Sequence, residues 1–538
     1  LIVKIGTYVN ENQIIKSIAV NNTIQVRNKS IRNNLFFTLR SVIILLFIIN
    51  LTTIGTSQSS YGFESKDLKK TDAYVNKLLL SDSSIWIHSA TKLEIHTSNR
   101  AKNRYSKFNK NLERQESSEV DKTKYHFYEP ISFQNEKLIF NVQKVKRKRL
   151  IKIFKLNNDF SKTEIFQHTL TKGQKILSKE ISYSPDSSYL QISIYIHTGM
   201  IYKYDKILFL TVNSNLEVNI KPIVDTEEQA NCQAIKINNS IVNNQGETLL
   251  FIKTKRKSKQ IEDEKFKHLG DEAYRQELWI IDNAVKRIVA VTDFSHSVFP
   301  ASLYVTQKGN IGAAFVERYE NKKTGEHSSV LKWKFYNKKG ELVKEENVQI
   351  DPSYLKKMTP RKKLNKVELI PSIKYLIQGD SIYFYIKSIL NYAYSRSGTT
   401  HAGSGTNNYG FLLVSAVEGN ISIMKGIPSY SETGWSNMTD PVFINYQDNV
   451  HFCYADISKN KNNSYTDSEE FYKSTKMSKK NTLNILNLNS HDSNRIIVDE
   501  VNSSAICLGN MVNDKYLYFL TIDGFISLKY SINKVFLK

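Results

Sequence analysis

Residues 181–194 read Ile181-Ser182-Tyr183-Ser184-Pro185-Asp186-Ser187-Ser188-Tyr189-Leu190-Gln191-Ile192-Ser193-Ile194. A turn of small and polar residues leads into a run where Leu190, Ile192 and Ile194 alternate with Gln191 and Ser193. That period of two is the signature of a β-strand. Pro185 presets φ, Asp186 can bond the backbone that follows it, and the serines keep the turn small. The same grammar recurs at Gln134-Asn135-Glu136-Lys137, Asn244-Gln245-Gly246, Lys308-Gly309-Asn310, Gly379-Asp380, Gln447-Asp448-Asn449 and Asn513-Asp514-Lys515. Apolar or aromatic runs follow from Leu138, Tyr189, Thr248, Ile311, Ile382, Val450 and Tyr516. A recurrence of roughly fifty to seventy residues is that of propeller blades with inserted loops.

Each unit then offers a further strand: Leu150–Phe154, Ile207–Val212, Leu278–Ile281, Leu331–Tyr336, Gly410–Val414, Leu483–Leu488 and Phe525–Tyr530. No unit has enough apolar surface to stand alone, so each must bury its faces against its neighbours. Tyr (30) and Phe (26) outnumber Gly (21) and Pro (9), which suits a large packed β-core rather than disorder. The expected fold is therefore all-β, a single β-propeller of seven blades, with six or eight as alternatives. A pair of β-sandwich domains is the competing architecture. The expected domains are residues 1–57, a signal peptide with an over-called extension; 58–124, poorly defined and part of a first blade or a ring-closing strand; and 125–538, the propeller. Helical spacing appears best over residues 260–278 and 64–80.

The turn Ser184-Pro185-Asp186-Ser187-Ser188 resembles the Ser-Pro-Asp-Gly turn of TolB-like propeller repeats, with Ser187 in place of the usual Gly. The resemblance implies that the turn precedes a blade strand. Over about 400 residues the layout is also similar to that of uncharacterised secreted propeller-like proteins of Bacteroidetes. Segments such as Trp333-Lys334-Phe335-Tyr336-Asn337-Lys338-Lys339-Gly340-Glu341-Leu342 carry that likeness. It implies no catalytic residues.

Near the N-terminus, Arg32 and Arg40 precede the apolar run Val42–Ile49, and Gly55-Thr56-Ser57 follows. A charged region, an apolar region and a small-residue site in that order predict an export signal cleaved after Ser57. The run is shorter than the ~20 residues a membrane-spanning helix needs. The expected location is periplasmic or extracellular. The first Met is Met200, so initiation is expected at a non-AUG codon near Val26 or Leu35. Cleavage lowers the formal net charge from +23 to +18, because six basic residues and one acidic residue leave. That excess suits acidic polysaccharide, but no nucleic-acid motif accompanies it, so no nucleic-acid partner is expected.

Motifs for chemistry are sparse. Cys232, Cys453 and Cys507 form no C-x-x-C, which argues against disulfides or zinc. The histidines show no H-x-H or H-E-x-x-H pattern, and His88 and His451 read as packing residues. No G-x-S-x-G marks a hydrolase domain. No cofactor or metal is expected. Long inserts fall at equivalent places in successive units, at about residues 253–277, 317–329, 387–409 and 455–482, with a short basic one at Lys144–Arg149. Equivalent loops in a ring emerge on one face, where binding is commonly carried. The candidate binding face comprises Arg147, Lys148, Arg149, Lys255, Arg256, Lys257, His401 and Trp435. The expectation is an exported monomer acting as a non-enzymatic scaffold for a protein or acidic polysaccharide. The alternative is a glycan-binding or glycan-active propeller using Trp435, Tyr392, Tyr394 and Tyr409. N-terminal sequencing of the exported protein should begin at Gln58; a precursor beginning at Leu1 would refute the late initiation.

Overall fold

The computed structural model describes residues 63–67, 75–80, 84–90, 103–121, 125–146, 148–197, 206–225, 233–256, 268–269, 273–282, 284–295, 301–320, 327–359, 366–395, 402–432, 441–446, 448–457, 481–488, 495–501, 505–513, 516–523 and 529–536. They form eight four-stranded antiparallel sheets within Tyr61–Lys538. Blade one is β2 to β5 (Val75–Leu80, Ile85–Ala90, Asn103–Phe108, Arg114–Asp121) and blade two is β6 to β9 (Tyr125–Phe133, Glu136–Val145, Lys148–Leu156, Lys162–Leu170). Blade three is β10 to β13 (Lys175–Tyr183, Tyr189–His197, Lys206–Asn213, Val218–Asp225) and blade four is β14 to β17 (Gln233–Val242, Thr248–Arg256, Ala273–Ile281, Val285–Ala290). Blade five is β18 to β21 (Ala301–Val305, Ile311–Glu320, His327–Tyr336, Leu342–Ile350) and blade six is β22 to β25 (Glu368–Gln378, Ser381–Ser395, Ala402–Val417, Asn420–Glu432). Blade seven is β26 to β29 (Val442–Tyr446, Asn449–Ile457, Asn481–Asn487, Arg495–Val501). Blade eight joins β30 to β32 (Ala505–Asn513, Tyr516–Asp523, Lys529–Phe536) to β1 (Phe63–Asp67) from the other end of the chain.

The first strands of successive blades touch around a common axis, β14 against β10 and β18, β22 against β18 and β26, and β30 against β26 and β2. The ring is closed by β1, whose Phe63 pairs with Val535 and Asp67 with Ser531. The seven units read from the sequence are blades two to eight. Residues 75–121 make the additional sheet, so the count is eight, one of the two alternatives. Blade one escaped the repeat reading because its strands are short and its sequence is polar: β5 reads Arg-Gln-Glu-Ser-Ser-Glu-Val-Asp.

Because each sheet is an up-and-down meander, the first and third turns of every blade lie at one end of the ring. The connections between second and third strands, and between blades, lie at the other. At the tight-turn end a five-residue turn recurs, Asn-x-x-x-Glu, at Asn109, Asn213, Asn243 and Asn337. In each the Asn Nδ2 donates to the Glu carboxylate at 2.7–2.9 Å, and its Oδ1 accepts two backbone N–H groups. The fourth residue is left-handed in each case: Leu112, Leu216, Gly246 and Gly340. Ser187 takes the same conformation at φ 58°, in the turn resembling the Ser-Pro-Asp-Gly type. There Asp186 Oδ1 accepts from the Ser188 N–H at 2.9 Å and from the Ser184 and Ser188 hydroxyls at 2.6 and 2.7 Å.

These turns also stitch neighbouring blades together. Gln134 Nε2 donates to the Ser187 carbonyl at 2.5 Å, and Asp186 N–H to Asn244 Oδ1 at 3.1 Å. Asn244 Nδ2 donates to the Gln307 carbonyl at 2.8 Å, Lys308 pairs with Asp380 at 2.8 Å, and Gln378 Nε2 reaches the Asp448 carbonyl at 2.5 Å. Five successive junctions, from blade two to blade seven, are bridged in this way.

Between the blades lie apolar clusters. Ile131, Phe140 and Ile151 of blade two meet Ile192, Ile194 and Leu210 of blade three. Tyr304 and Trp333 of blade five stack with Phe384 of blade six at centroid distances of 4.6 and 5.9 Å. Cys453 lies buried between blades seven and eight, and burial pushes its thiol up, so it packs rather than reacts.

The helical reading of 64–80 is corrected: where described, these residues lie in β1 and β2. Of 260–278, residues 268–269 take a 3₁₀ conformation and 273–278 lie in β16, and the rest lie outside the described residues. The described helix is instead α1 (Pro352–Met358), capped by Asp351, whose carboxylate accepts from Ser353 N–H at 2.8 Å. The insert expected at 387–409 is largely strand: β23 runs on to Ser395 and β24 starts at Ala402, extending blade six as a hairpin. The signal-peptide reading of residues 1–57 lies outside the described residues.

Gly312 in β19 lets the Trp333 ring lie flat on the backbone, since a Cβ there would sit 2.1 Å from Cη2 and 2.4 Å from Cζ2. Gly312→Ala should therefore destabilise the fold by ~1–3 kcal/mol, read as a lower denaturant midpoint. Ser187→Gly should raise stability by several tenths of a kcal/mol, because Gly accepts φ > 0 without strain.

Candidate functional site

Most blade junctions are filled with apolar side chains. The junction between blades three and four is different: a small apolar cluster, with Tyr195, Phe209, Ile252 and Trp279, lies among buried polar groups. The alternation of β11 explains why. Leu190, Ile192, Ile194 and Ile196 pack toward blade two, whereas Gln191 and Ser193 meet Ser240 of blade four. Gln191 Nε2 donates to Ser240 Oγ at 2.7 Å, Ser193 Oγ to Ser240 Oγ at 2.9 Å, and Thr248 Oγ1 to Gln191 Oε1 at 2.5 Å. Near the tight-turn end, Lys221 crosses from β13 and donates to the Gly246 carbonyl at 2.7 Å and to Thr248 Oγ1 at 3.2 Å. Burial lowers its ammonium to about 8.

On the channel side of this seam stands Glu180, half-buried on the innermost strand β10. Tyr195 OH donates to its Oε2 at 2.6 Å, and the Ser240 backbone N–H donates to it as well. Desolvation outweighs both bonds and raises the carboxyl to about 7. The adjacent Lys179 points the other way and pairs with Glu129 of β6 at 2.6 Å. A carboxyl that exchanges its proton near neutrality, beside a phenol, is equipped for general acid or base work.

At the opposite end from the tight turns lies a second charged group. Glu277, fully buried, accepts from Arg275 Nε at 2.6 Å, Arg256 Nη2 at 3.0 Å and Trp279 Nε1 at 2.9 Å. Burial alone would push this carboxyl up; the guanidiniums of Arg275 and Arg256 and the indole N–H hold it below its ordinary range. Arg275 also lies over the Phe294 ring at 4.5 Å.

Of the residues expected on the candidate binding face, four are described, two on blade two and two on blade four. Lys148 is exposed at the start of β8, and Arg149 Nη1 donates to the Gln174 carbonyl at 2.6 Å, both on blade two. Lys255 lies 5.5 Å over the Tyr274 ring, and Arg256 is committed to Glu277, both on blade four. Blade three stands between the pairs. Arg147, Lys257, His401 and Trp435 lie outside the described residues. Tyr392, Tyr394 and Tyr409 fall on the extended hairpin of blade six. His88 is buried beside Tyr105 and Tyr128, its Nε2 3.0 Å from Asn103 Oδ1, and His451 packs near Tyr446. Among the described residues no group of three or more His, Cys, Asp or Glu is arranged to hold a metal, and no helix is long and apolar enough to cross a membrane.

Sequence reading missed Glu180, Tyr195, Arg275, Glu277 and Trp279. For the last three a signal existed: Arg275, Glu277 and Trp279 alternate along one strand and so share a face. Glu180 had none, because its partners come from two other strands.

No known protein family matches this sequence, and no curated protein does. Among solved structures, the polysaccharide lyase Uly1 aligns with 88% of this chain and 99% of its own, at 9% identity and a TM-score of 0.36. A PL25 ulvan lyase solved with a glucuronate-containing saccharide aligns over 67% of this chain and 80% of its own, at 10% identity and a TM-score of 0.34. A GH93 α-L-arabinofuranosidase of Fusarium graminearum aligns over 59% and 89%, at 9% identity and a TM-score of 0.30. These likenesses concern layout and transfer no residue. The expectation of a non-enzymatic scaffold is set aside, because these similar structures are named as polysaccharide lyases and a glycoside hydrolase; nothing of their activity transfers to this chain at this level of likeness.

The raised Glu180 carboxyl has a thermodynamic consequence. Between the ordinary 4.5 and about 7, the native state keeps a proton that the unfolded chain has lost. Stability therefore falls as pH rises through that window. The urea midpoint of the wild type should drop between about pH 5 and about pH 8 by more than that of Glu180→Gln.

Proposed function

We propose that this chain is a glycan-binding or glycan-active propeller that engages acidic sugars at the seam between blades three and four. The observation that supports this reading is Glu180: a half-buried carboxyl on the innermost strand, raised to about 7 and hydrogen-bonded to the Tyr195 phenol. At neutral pH such a group is present in both protonation states, so it can take a proton from a sugar ring carbon or give one to a leaving oxygen. Tyr195 orients the carboxyl and is placed to relay the proton. The formal charge, +18 once residues 1–57 are removed, raises the local concentration of polyanions around the ring. Hydrolysis with a carboxylate pair would require a second free carboxylate near Glu180. Glu129, on the neighbouring inner strand, is tied to Lys179. Proton abstraction from an acidic sugar, which needs a single carboxyl base, fits the seam better. An exported location, expected from residues 32–57, suits polymeric substrates.

The test is a panel of acidic and neutral polysaccharides offered to the purified chain. Binding is followed by calorimetry, and turnover by the ultraviolet absorbance of unsaturated products and by release of reducing ends. Saturable binding to an acidic glycan is expected. Any turnover should fall about a hundredfold in Glu180→Gln, with binding retained. Failure to bind any glycan would overturn the reading.

A further inference from the structure

Resting on the glycan reading, we propose that Arg256 and Arg275 form a subsite for an anionic substituent of the glycan, a carboxylate or a sulfate. Two guanidiniums present ten N–H donors. Glu277 takes one from each, at 3.0 and 2.6 Å, and its other oxygen is occupied by Trp279. The group as a whole, two arginines on one carboxylate, keeps a net positive charge. Among the described residues Glu277 is the one acceptor that either guanidinium meets, and Arg256 Nε is buried with no hydrogen-bond partner. One arginine would suffice to neutralise a buried carboxylate. A second, with donors left over, is what an incoming anion requires.

The position agrees. Arg256 ends β15 and Arg275 lies near the start of β16, so both stand at the base of the connection 257–272. Those strand ends lie at the end of the ring opposite the tight turns. Both side chains are on the face of blade four that turns to blade three, as are Ile252 and Trp279, which pack on Tyr195. Tyr195 in turn holds Glu180. The group is preorganised: the Phe294 ring holds Arg275, and the Trp279 indole N–H fixes the Glu277 carboxylate. Their side chains are 15% and 20% exposed, enough to meet a ligand yet shielded enough that the charge is weakly screened. Across the same strands, Lys253 and Lys255 lie 4.6 and 5.5 Å over the Tyr274 ring and add positive potential.

The experiment measures binding of the full chain to polygalacturonate, to dextran sulfate and to the neutral polymers dextran, xylan and arabinan, in wild type, Arg275→Gln and Glu277→Gln. Thermal unfolding of each variant ensures that folded protein is compared. Arg275→Gln should weaken binding of the preferred anionic polymer at least tenfold and leave neutral polymers unaffected. Glu277→Gln should strengthen anionic binding severalfold, because it removes the internal competitor for both arginines. A purely structural Arg–Glu lock predicts no such gain. The response to polygalacturonate against dextran sulfate tells carboxylate from sulfate. Acidic polymers bound equally by all three proteins, or weakened by Glu277→Gln, would overturn the subsite while leaving the glycan reading in place. If no polymer of either kind binds, the glycan reading itself fails and the subsite with it.

Discussion

A four-stranded sheet has two faces, and in this chain both are apolar. That constraint governs the molecule: every blade needs a neighbour on each side, and the arrangement that satisfies all of them at once is a closed ring. The interblade clusters are its physical content, from Trp86 and Ile139 between blades one and two to Ile485 and Leu517 between blades seven and eight. Closure is delegated to hydrogen bonds rather than packing alone. Strand β1 lends blade eight its outer strand, so the two ends of the ring are tied by a backbone ladder. Loss of that ladder would expose a sheet edge and free both terminal blades.

The polar turns serve the same end. In a hairpin, Asn or Asp satisfies its own turn; here Asn243 does so while its neighbour Asn244 bonds to the blades on either side. Five junctions bridged at one end leave the opposite end as the place where chain can be added. The extended blade-six hairpin lies there, as do the end of β15 and the start of β16. The division of labour is mechanical: one end holds register, and the other is available for ligands.

The seam between blades three and four departs from the apolar rule. Burying Glu180, Lys221 and Glu277 costs free energy, which is offset locally by Tyr195 and Ser240, by Gly246 and Thr248, and by two arginines. A ring that needs only closure would fill this junction with valine and isoleucine, as at blades two and three. Polar groups kept in such a place, with one carboxyl titrating near neutrality and two guanidiniums holding donors in reserve, suit chemistry better than cohesion.

Local sequence carried the strand grammar. The alternation of Leu190, Ile192 and Ile194, the turn chemistry at Asp186 and the recurrence of both established an all-β ring, because period and turn residues act over a few neighbours. It offered residues 58–124 as part of a first blade or a ring-closing strand, but could not show that they supply both, a whole blade and, in β1, the partner of β32. It pointed to Lys255 and Arg256 as basic residues but not to their opposite orientations, which depend on pairing across β15 and β16. Glu180 owes its raised proton affinity to Tyr195, Ser240 and burial, groups brought together from three strands of two blades. Periodicity is a property of the chain; proximity between distant strands, and the dielectric around a carboxyl, exist only after the ring has closed.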